Sequence, residues 1–388
     1  MPEHSLIFPA EEYRRRVSAL QSEMARGQLD ALLLTTPADV FYTTGFLTRF
    51  WESPARPWFV VVPAAGDPVA VIPAIGAELM GRCWIRDIRT WNAPDPVDDG
   101  VSLLAETLNS LVPASGRIGI PMGLESHLRM PVGDFLRLQD RIAPRRIADG
   151  TGAVYRVREI KSEAEIEKIR ASCAIADAAF ARVPEFAHQG VPLSRVFCDF
   201  QVALLQEGAD WVSYVAGGAG QGGYGDVISP ADERPLQAGD VLMLDTGAVR
   251  EGYFCDFDRN FAIGRAADDV RRAHASLYAA TEAALTNLRP GMLARDLHRI
   301  LAEALTREGS VVGGGRLGHG LGLTLTEWPS LTPLDTTELR EGMVLTLEPG
   351  VEIAPGRILV HEENIVLRAG GPELLSRRAP ADLPEIME

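Results

Sequence analysis

The amino-acid sequence predicts an α+β protein in which an α/β domain is followed by a domain built on a curved, mostly antiparallel sheet. Up to about residue 150, strand-like and helical stretches alternate, as in a compact α/β domain. A long helix is predicted within 155–183, where Ser162 and Glu165 form a capping-box pattern. Beyond it, glycine-punctuated apolar strands alternate with helices, which favours an antiparallel sheet covered by helices on one face.

The change in character near residues 150–158 marks a domain boundary, so we expect domains at 1–157 and 158–388. Amphipathic spacing indicates helices, and short apolar runs bounded by turn residues indicate strands. The predicted elements are helices at 11–26, 192–207, 266–288 and 294–307, a buried strand at 29–36 and a hairpin at 57–73.

Composition excludes several classes of partner. The 388 residues are 46% hydrophobic and carry a net charge of −15, which argues against nucleic acid and against an anionic membrane surface. No apolar run has transmembrane length, and the first residues lack the apolar region of a signal peptide. Four scattered cysteines without C-x-x-C spacing indicate reduced thiols. We therefore expect a cytoplasmic protein.

One phrase occurs twice in the second half of the chain. "LQAGDVLMLDTG" (236–247) and "LREGMVLTLEPG" (339–350) share the pattern L-x-x-G-x-V-L-x-L-[D/E]-x-G. Each apolar strand ends in a carboxylate, Asp245 in the first copy and Glu348 in the second. A charge at the end of a buried strand is costly unless it is paired or ligated.

Each copy then returns through a second strand that holds two acids at its centre. Two related hairpins predict a pseudo-twofold centre with four carboxylates, whose mutual repulsion raises their pKa values. One or two divalent cations relieve that repulsion. The alternative is turn acids on solvated hairpins, but two copies in matched context favour the metal. The return strands are 252–264, with Asp256 and Asp258, and 357–367, with Glu362 and Glu363.

A nitrogen ligand completes the pattern. His319 lies in "GRLGHGLGLTLTE" (315–327), flanked by glycines that allow close backbone approach to a site. The order of these residues resembles the pita-bread metallopeptidases, which include methionine aminopeptidase, aminopeptidase P, prolidase and creatinase. The matching contexts are Asp245 in "LDTG", Asp256 in "YFCDFDRNF", His319 in "GHGLGL", Glu348 in "LEPG" and Glu363 in "HEEN".

The resemblance covers the whole chain. "DALLLTTPADVFYTTGF" (30–46) is similar to the start of a creatinase/prolidase N-terminal domain, and "REIKSEAEIEKIRAS" (158–172) to the helix that opens the catalytic domain. It implies a creatinase-like α/β domain at 1–157 followed by a pita-bread catalytic domain at 158–388. Relatives of this architecture also imply a homodimer.

The resemblance further implies two divalent metal ions. Asp245 would bind one ion, Asp256 and Glu363 would bridge both, and His319 and Glu348 would complete the second. Water held between the ions would attack an amide bond, with Glu348 and His319 as catalytic residues and Glu348 moving a proton. Oxygen ligands with one imidazole favour Mn, Fe or Co, and Zn is also compatible.

The residues expected to contact substrate depart from the proline-directed peptidases. Ile228 and Thr326 stand where those enzymes carry histidines, and His361 where they carry an arginine. Asp258 replaces a small hydroxyl residue. These changes predict a small substrate and weak cleavage of Xaa-Pro dipeptides.

Two further segments bear on the site. "TRFWESPARPW" (48–58) contains Trp51, which would either cap the partner subunit's site and bind substrate or pack on its own domain. "AGGAGQGGYGD" (216–226) lacks the G-K-[S/T] of a phosphate loop and is predicted to be a flexible pocket wall.

The sequence thus predicts a metal-dependent hydrolase that cleaves an amide bond in a dipeptide or a small amidated compound. Two other enzymes of the same fold remain open, an ectoine-type hydrolase and a metal-dependent lyase acting on a compound such as dimethylsulfoniopropionate. A binding protein that has lost catalysis is the third alternative, although such proteins usually lose metal ligands and this chain keeps all five.

Overall fold

The computed structural model describes residues 7–51, 56–307, 311–312 and 315–387. The chain divides into two compact units, residues 1–158 and 159–388, one residue from the predicted boundary. The elements of the first unit are α1 (Ala10–Arg26), β1 (Ala31–Leu34), α2 (Pro37–Thr44), β2 (Phe59–Pro63), β3 (Val69–Pro73), α3 (Ala77–Met80), β4 (Asp87–Trp91), α4 (Val101–Leu111), β5 (Arg117–Ile120), α5 (Val132–Ile142), β6 (Arg146–Asp149) and α6 (Thr151–Arg158).

The first unit is organised by one six-stranded mixed sheet in the order β4-β3-β2-β1-β5-β6. The predicted hairpin is confirmed, since β2 and β3 pair antiparallel with Phe59 opposite Val71. Every residue of β1, β2 and β3 is buried, which explains their near-continuous Val and Leu content. Helix α4 contributes Leu104 and Leu108 to the core on one face of this sheet.

The second unit begins with the predicted long helix. Ser162 Oγ accepts a hydrogen bond from the backbone N–H of Glu165, whose carboxylate accepts one from the N–H of Ser162, so the capping box is confirmed. The elements are α7 (Glu163–Ala181), α8 (Leu193–Gln206), β7 (Trp211–Gln221), β8 (Asp240–Arg250), β9 (Tyr253–Phe254), β10 (Phe257–Ile263), α9 (Asp268–Asn287), α10 (Ala294–Arg307), β11 (Val311–Val312), β12 (His319–Gly320), β13 (Glu327–Ser330), β14 (Val344–Leu347), β15 (Gly350–Ala354), β16 (Arg357–Val360), β17 (Glu363–Arg368), β18 (Gly371–Leu374) and β19 (Glu385–Ile386).

Three sheets form the second unit, and their strands pair antiparallel except for β10 with β19 among the described residues. The first sheet runs β19-β10-β8-β7, with β9 on β8, and the second runs β11-β15-β16. The third runs β13-β12-β14-β17-β18. Helices α9 and α10 supply Leu277 and Leu301 to a core that also contains Val241 of β8 and Leu345 of β14.

The two copies of the repeated phrase form two antiparallel hairpins, β8 with β10 and β14 with β17. The return strands, predicted to be continuous, are interrupted in both copies. Asp256 lies in the gap between β9 and β10, and Glu362 lies in the gap between β16 and β17. At the first gap, the backbone N–H of Asp256 donates to the side-chain Oδ1 of Asn364 instead of to a neighbouring strand. Asp256 and Glu362 therefore lie outside the regular hydrogen-bonded pairing of the strands.

The segment 216–226 is only in part the flexible wall that the sequence predicts, because β7 extends through Gln221. Gly217 adopts φ +142°, and a Cβ atom there would lie 2.1 Å from the carbonyl oxygen of Met243. Glycine at this position therefore permits close approach of β7 to β8.

Replacing Gly217 with alanine should lower the free energy of unfolding by about 2–5 kcal/mol, since overpacking and a strained φ add together. Urea denaturation measures the loss. Gly225→Ala is the matched control, because a Cβ atom at Gly225 would meet nothing within 4 Å. Equal stability of the two variants would contradict the close-approach argument.

Candidate metal centre

Three predicted ligands meet at one point of the second unit. Asp256, His319 and Glu348 each offer a ligand atom within 4.8 Å of the others. His319 Nε2 lies 2.7 Å from Glu348 Oε1 and 3.2 Å from Asp256 Oδ2. The histidine is supplied by β12, and Glu348 follows β14, so the second repeat and the glycine-rich turn converge on the acid of the first repeat.

A second group shares one residue with the first. Asp245, Asp256 and Glu362 also bring ligand atoms within 4.8 Å of one another. Asp245 lies within β8, whereas Asp256 and Glu362 occupy the two strand interruptions. Because Asp256 belongs to both groups, the arrangement has the connectivity of two adjacent cation sites joined by a bridging carboxylate.

Hydrogen bonds around the first group orient its ligands. His319 Nδ1 lies 2.7 Å from the carbonyl oxygen of Gly320, so Nδ1 carries the proton in that bond and Nε2 faces the acids. Thr346 Oγ1 donates to Glu348 Oε1 at 2.5 Å. Outer hydrogen bonds of this kind fix the tautomer of a ligating histidine and the orientation of a ligating carboxylate.

The clustered charges shift several pKa values. Burial, followed by the charges of Asp256 and Asp258, raises the pKa of Asp245 well above its ordinary value. Burial and the charge of Asp245 raise the pKa of Glu362 in the same way. For His319, burial lowers the pKa, but Glu348 and Asp256 outweigh it and raise the pKa to about 10.

The donor set fits divalent metal ions. Glu362 Oε2 is buried and has no hydrogen-bond partner among the described residues, so its desolvation is uncompensated by protein groups. A cation supplies that compensation and relieves the carboxylate repulsion at the same time. Four carboxylates and one imidazole are ligands suited to Mn, Fe or Co, and they are also compatible with Zn.

Glu363, the predicted bridging ligand, lies in neither group, and its neighbour Glu362 takes the position instead. Glu363 Oε2 accepts hydrogen bonds from Arg259 Nη2 at 3.1 Å and Ser376 Oγ at 2.6 Å, and Oε1 accepts one from the N–H of Ala379 at 2.8 Å. Burial raises its pKa, but Arg259 outweighs this and lowers the pKa to about 2. The side chains of adjacent residues in an extended chain point in opposite directions. Glu362 therefore faces the acids, whereas Glu363 faces Arg259.

The residues predicted to contact substrate lie in different surroundings. Ile228 is 83% exposed, and Thr326 Oγ1 accepts a hydrogen bond from Arg316 Nη2 at 3.2 Å. His361 is buried with Nε2 3.3 Å from Glu363 Oε1, and burial lowers its pKa to about 4, so its ring is neutral near pH 7. Asp258 is also buried, accepts a hydrogen bond from Asn260, and has its pKa raised to about 8 by burial.

Trp51 makes contacts within the first unit. Its ring centroid lies 5.6 Å from that of Trp58 and 6.3 Å from that of Phe46, and the guanidinium of Arg129 lies 5.1 Å from it. These contacts agree with the alternative in which the tryptophans pack on their own domain. The middle of the predicted loop, residues 52–55, lies outside the described residues.

Sequence reasoning missed two residues near the acids. The hydroxyl oxygen of Tyr214 lies 2.9 Å from Asp245 Oδ1 and 2.6 Å from Asp256 Oδ1. Arg316 donates a hydrogen bond to Thr326. Burial raises the pKa of Glu348, but His319 and, to a smaller extent, Arg316 outweigh burial and lower that pKa. Arg316 lies in the same glycine-rich phrase as His319 and could have been found there, whereas nothing in the sequence near Tyr214 distinguishes it.

Comparison with known proteins assigns the family. Residues 167–368 match metallopeptidase family M24, and residues 16–160 match the creatinase/prolidase N-terminal domain. The chain belongs to metallopeptidase family M24, with a creatinase-like N-terminal domain before a pita-bread domain, and is a metallohydrolase.

Individual relatives span almost the full chain. The probable dipeptidase PepE of Mycobacterium tuberculosis is 30% identical over 367 residues, which cover 93% of each protein. The crystal structure of dipeptidase PepE from Mycobacterium ulcerans matches with a TM-score of 0.85 at 27% identity, covering 98% of this chain and 100% of that one. A prolidase structure from Thermococcus sibiricus has a TM-score of 0.84 at 22% identity, covering 96% and 99%, which shows the shared fold.

The helices of the described residues were compared with the requirements for crossing a membrane. Across 7–51, 56–307, 311–312 and 315–387, no helix combines the length and apolar character needed to cross a bilayer.

Replacing Glu362 and Glu363 one at a time with glutamine should distinguish the proposed metal ligand from the partner of Arg259. Glu362→Gln should lower the bound metal while leaving the metal-free protein at least as stable, because the amide cannot acquire the charge that burial and the neighbouring acids oppose. Glu363→Gln should lower the free energy of unfolding by about 3–5 kcal/mol, because it leaves the Arg259 charge buried without its partner. Metal analysis and urea denaturation of chelator-treated protein measure the two effects. If Glu363→Gln lost metal but kept full stability, Glu363 would again be the preferred metal ligand.

Proposed function

We propose that this protein hydrolyses an amide bond in a dipeptide or a small amidated compound, using two divalent metal ions. The observation that carries the proposal is Asp256, whose carboxylate belongs to both ligand groups. The ligands we propose are Asp245, Asp256, His319, Glu348 and Glu362. The names of the PepE relatives, a probable dipeptidase and a dipeptidase, support a dipeptide as the substrate class to test first.

The chain's own residues have distinct tasks in this reaction. Two bound cations would supply Lewis acidity that activates water and polarises the scissile carbonyl. Glu348, which accepts a hydrogen bond from Thr346 Oγ1 at 2.5 Å, would accept the proton released during attack and pass it to the leaving nitrogen. Thr346 and the Gly320 carbonyl keep the glutamate and the histidine in position for this transfer.

The wall of the proposed substrate site differs from that of proline peptidases. Thr326, in place of a histidine, contacts the permanently charged guanidinium of Arg316. Ile228, in place of another, is exposed rather than packed. These changes keep open a non-peptide substrate, such as that of an ectoine-type hydrolase or of a metal-dependent lyase. An inactive binding protein is disfavoured because the ligand set is complete.

Metal analysis tests the centre itself. Protein purified without chelator should contain between one and two equivalents of divalent metal, and Asp256→Ala should lose most of it, because one bridging ligand serves both ions. Asp268→Ala, which alters an exposed aspartate of α9, should retain the wild-type content and controls for a simple loss of charge. Full activity in metal-free protein would overturn the proposal.

Turnover of Xaa-Pro dipeptides tests the substrate class. We expect kcat/KM below about 10⁴ M⁻¹s⁻¹ for the Mn(II)-loaded enzyme, since each missing preorganised donor costs about 10²–10³ in rate. Dipeptides without proline, ectoine, creatine and dimethylsulfoniopropionate complete the panel. A gain in Xaa-Pro cleavage by the double variant Ile228→His with Thr326→His would locate the lost specificity there. Values at or above 10⁴ M⁻¹s⁻¹ in the unchanged enzyme would restore a plain prolidase.

Assembly and location form the last part of the proposal. We expect a cytoplasmic homodimer, on the basis of the resemblance and of the acidic composition. Light scattering at micromolar concentration should give twice the chain mass of 42.1 kDa. A monomer throughout the concentration range would remove any role for Trp51 in a partner's site, and Trp51→Ala should then alter stability alone.

A further inference from the structure

The hydroxyl group of Tyr214 spans two of the acids of the candidate metal centre. Its oxygen lies 2.6 Å from Asp256 Oδ1 and 2.9 Å from Asp245 Oδ1, both within hydrogen-bond distance. The opposite oxygen of Asp256, Oδ2, faces His319. A tyrosine is ordinarily neutral near pH 7 and has one proton to donate, so its hydroxyl group shares that proton between the two facing carboxylate oxygens without adding charge.

The backbone of β7 is shaped to direct this side chain. Val212 pairs with Ala248 and Val215 with Thr246, so the register shifts between them and Tyr214 lies in the resulting bulge. Bulges bend a strand locally and re-aim side chains, and they are frequent beside active sites. Thr246 Oγ1 donates to the carbonyl oxygen of Tyr214 at 3.1 Å and secures the bulge against the strand that carries Asp245.

A glycine leaves room for the ring. A Cβ atom added at Gly247 would lie 2.6 Å from Ser213 Oγ, 2.7 Å from Tyr214 Cε1 and 2.8 Å from Leu325 Cδ1. All three distances are below ordinary contacts, so a side chain at position 247 would force the Tyr214 ring, the Ser213 hydroxyl group or Leu325 to shift. The same phrase that contributes Asp245, "LDTG", therefore also provides the space that Tyr214 occupies.

We propose that Tyr214 is a positioning residue of the metal centre, holding Asp245 and Asp256 in the orientation that binds the ions. The inference rests on the proposed function, because it assumes that these acids are ligands. The hydrogen bonds, the bulge and the missing Cβ at Gly247 are three separate features that place one phenol against both carboxylates. Residues that hydrogen-bond to metal ligands in this way typically contribute 10–100-fold to metal affinity.

Calorimetric titration of Mn²⁺ into chelator-treated protein tests the role of Tyr214. Tyr214→Phe, which keeps the ring and removes the hydroxyl, should raise the Kd for Mn²⁺ about 10–100-fold. Gly247→Ala should also raise it, because the added methyl group crowds the Tyr214 ring together with Ser213 and Leu325. Tyr253→Phe is the matched control, since Tyr253 is a buried tyrosine whose hydroxyl donates to another carboxylate, that of Glu165 at 3.0 Å. It should keep the wild-type Kd.

A spectroscopic readout separates positioning from folding. Mn²⁺ should perturb the near-ultraviolet absorption of wild-type tyrosines, and the perturbation should disappear in Tyr214→Phe and persist in Tyr253→Phe. Thermal unfolding of the metal-free proteins verifies that each variant is folded. A Kd for Tyr214→Phe within twofold of wild type, or tighter, would overturn the inference alone. A wild-type protein that binds no Mn²⁺ would overturn the proposed metal centre, and the inference with it.

Discussion

The mutual repulsion of clustered, largely buried carboxylates is the constraint on which the second unit depends. Asp245, Asp256, Glu348 and Glu362 converge, and burial already opposes their charges before they repel one another. Protein groups relieve part of the cost, through the histidine against Glu348 and the hydroxyl groups of Thr346 and Tyr214. Divalent cations bound at the proposed ligands would relieve more of it, so binding of metal and stability of the folded site are expected to be coupled.

The two repeated hairpins must be held in register for the acids to meet, and Asn364 provides that link. Its side-chain oxygen accepts from the N–H of Asp256 at 3.0 Å, and its Nδ2 donates to the carbonyl of Asp256 at 2.5 Å. One amide of the second hairpin therefore satisfies both backbone groups of Asp256, which lies in the first hairpin. Beside it, the Arg259–Glu363 pair joins β10 to β17 through a buried ion pair. These contacts connect the halves without using any ligand atom.

Much of the fold follows from local sequence patterns. The capping box of Ser162, the amphipathic helices and the 59–73 hairpin are set by neighbouring residues, and the structure confirms them. The prediction that 216–226 is a flexible pocket wall was wrong in part, because β7 continues through Gln221 and Gly217 allows close packing of two strands. Composition does not show whether a glycine provides flexibility or allows close packing. For Gly217 the answer depends on how closely β8, a distant segment of the chain, approaches it.

By itself, the sequence determined the family, the paired hairpins and four of the five residues now proposed as ligands, because a repeated phrase and a glycine-flanked histidine are visible without coordinates. Tertiary structure decided which of two adjacent glutamates turns toward the acids. Glu362 lies at a strand interruption, whereas Glu363 begins β17 and meets Arg259. It also decided the place of Tyr214, which depends on a bulge and on the space above Gly247. Such choices arise from register and packing between distant segments, and a shift of one residue reverses them.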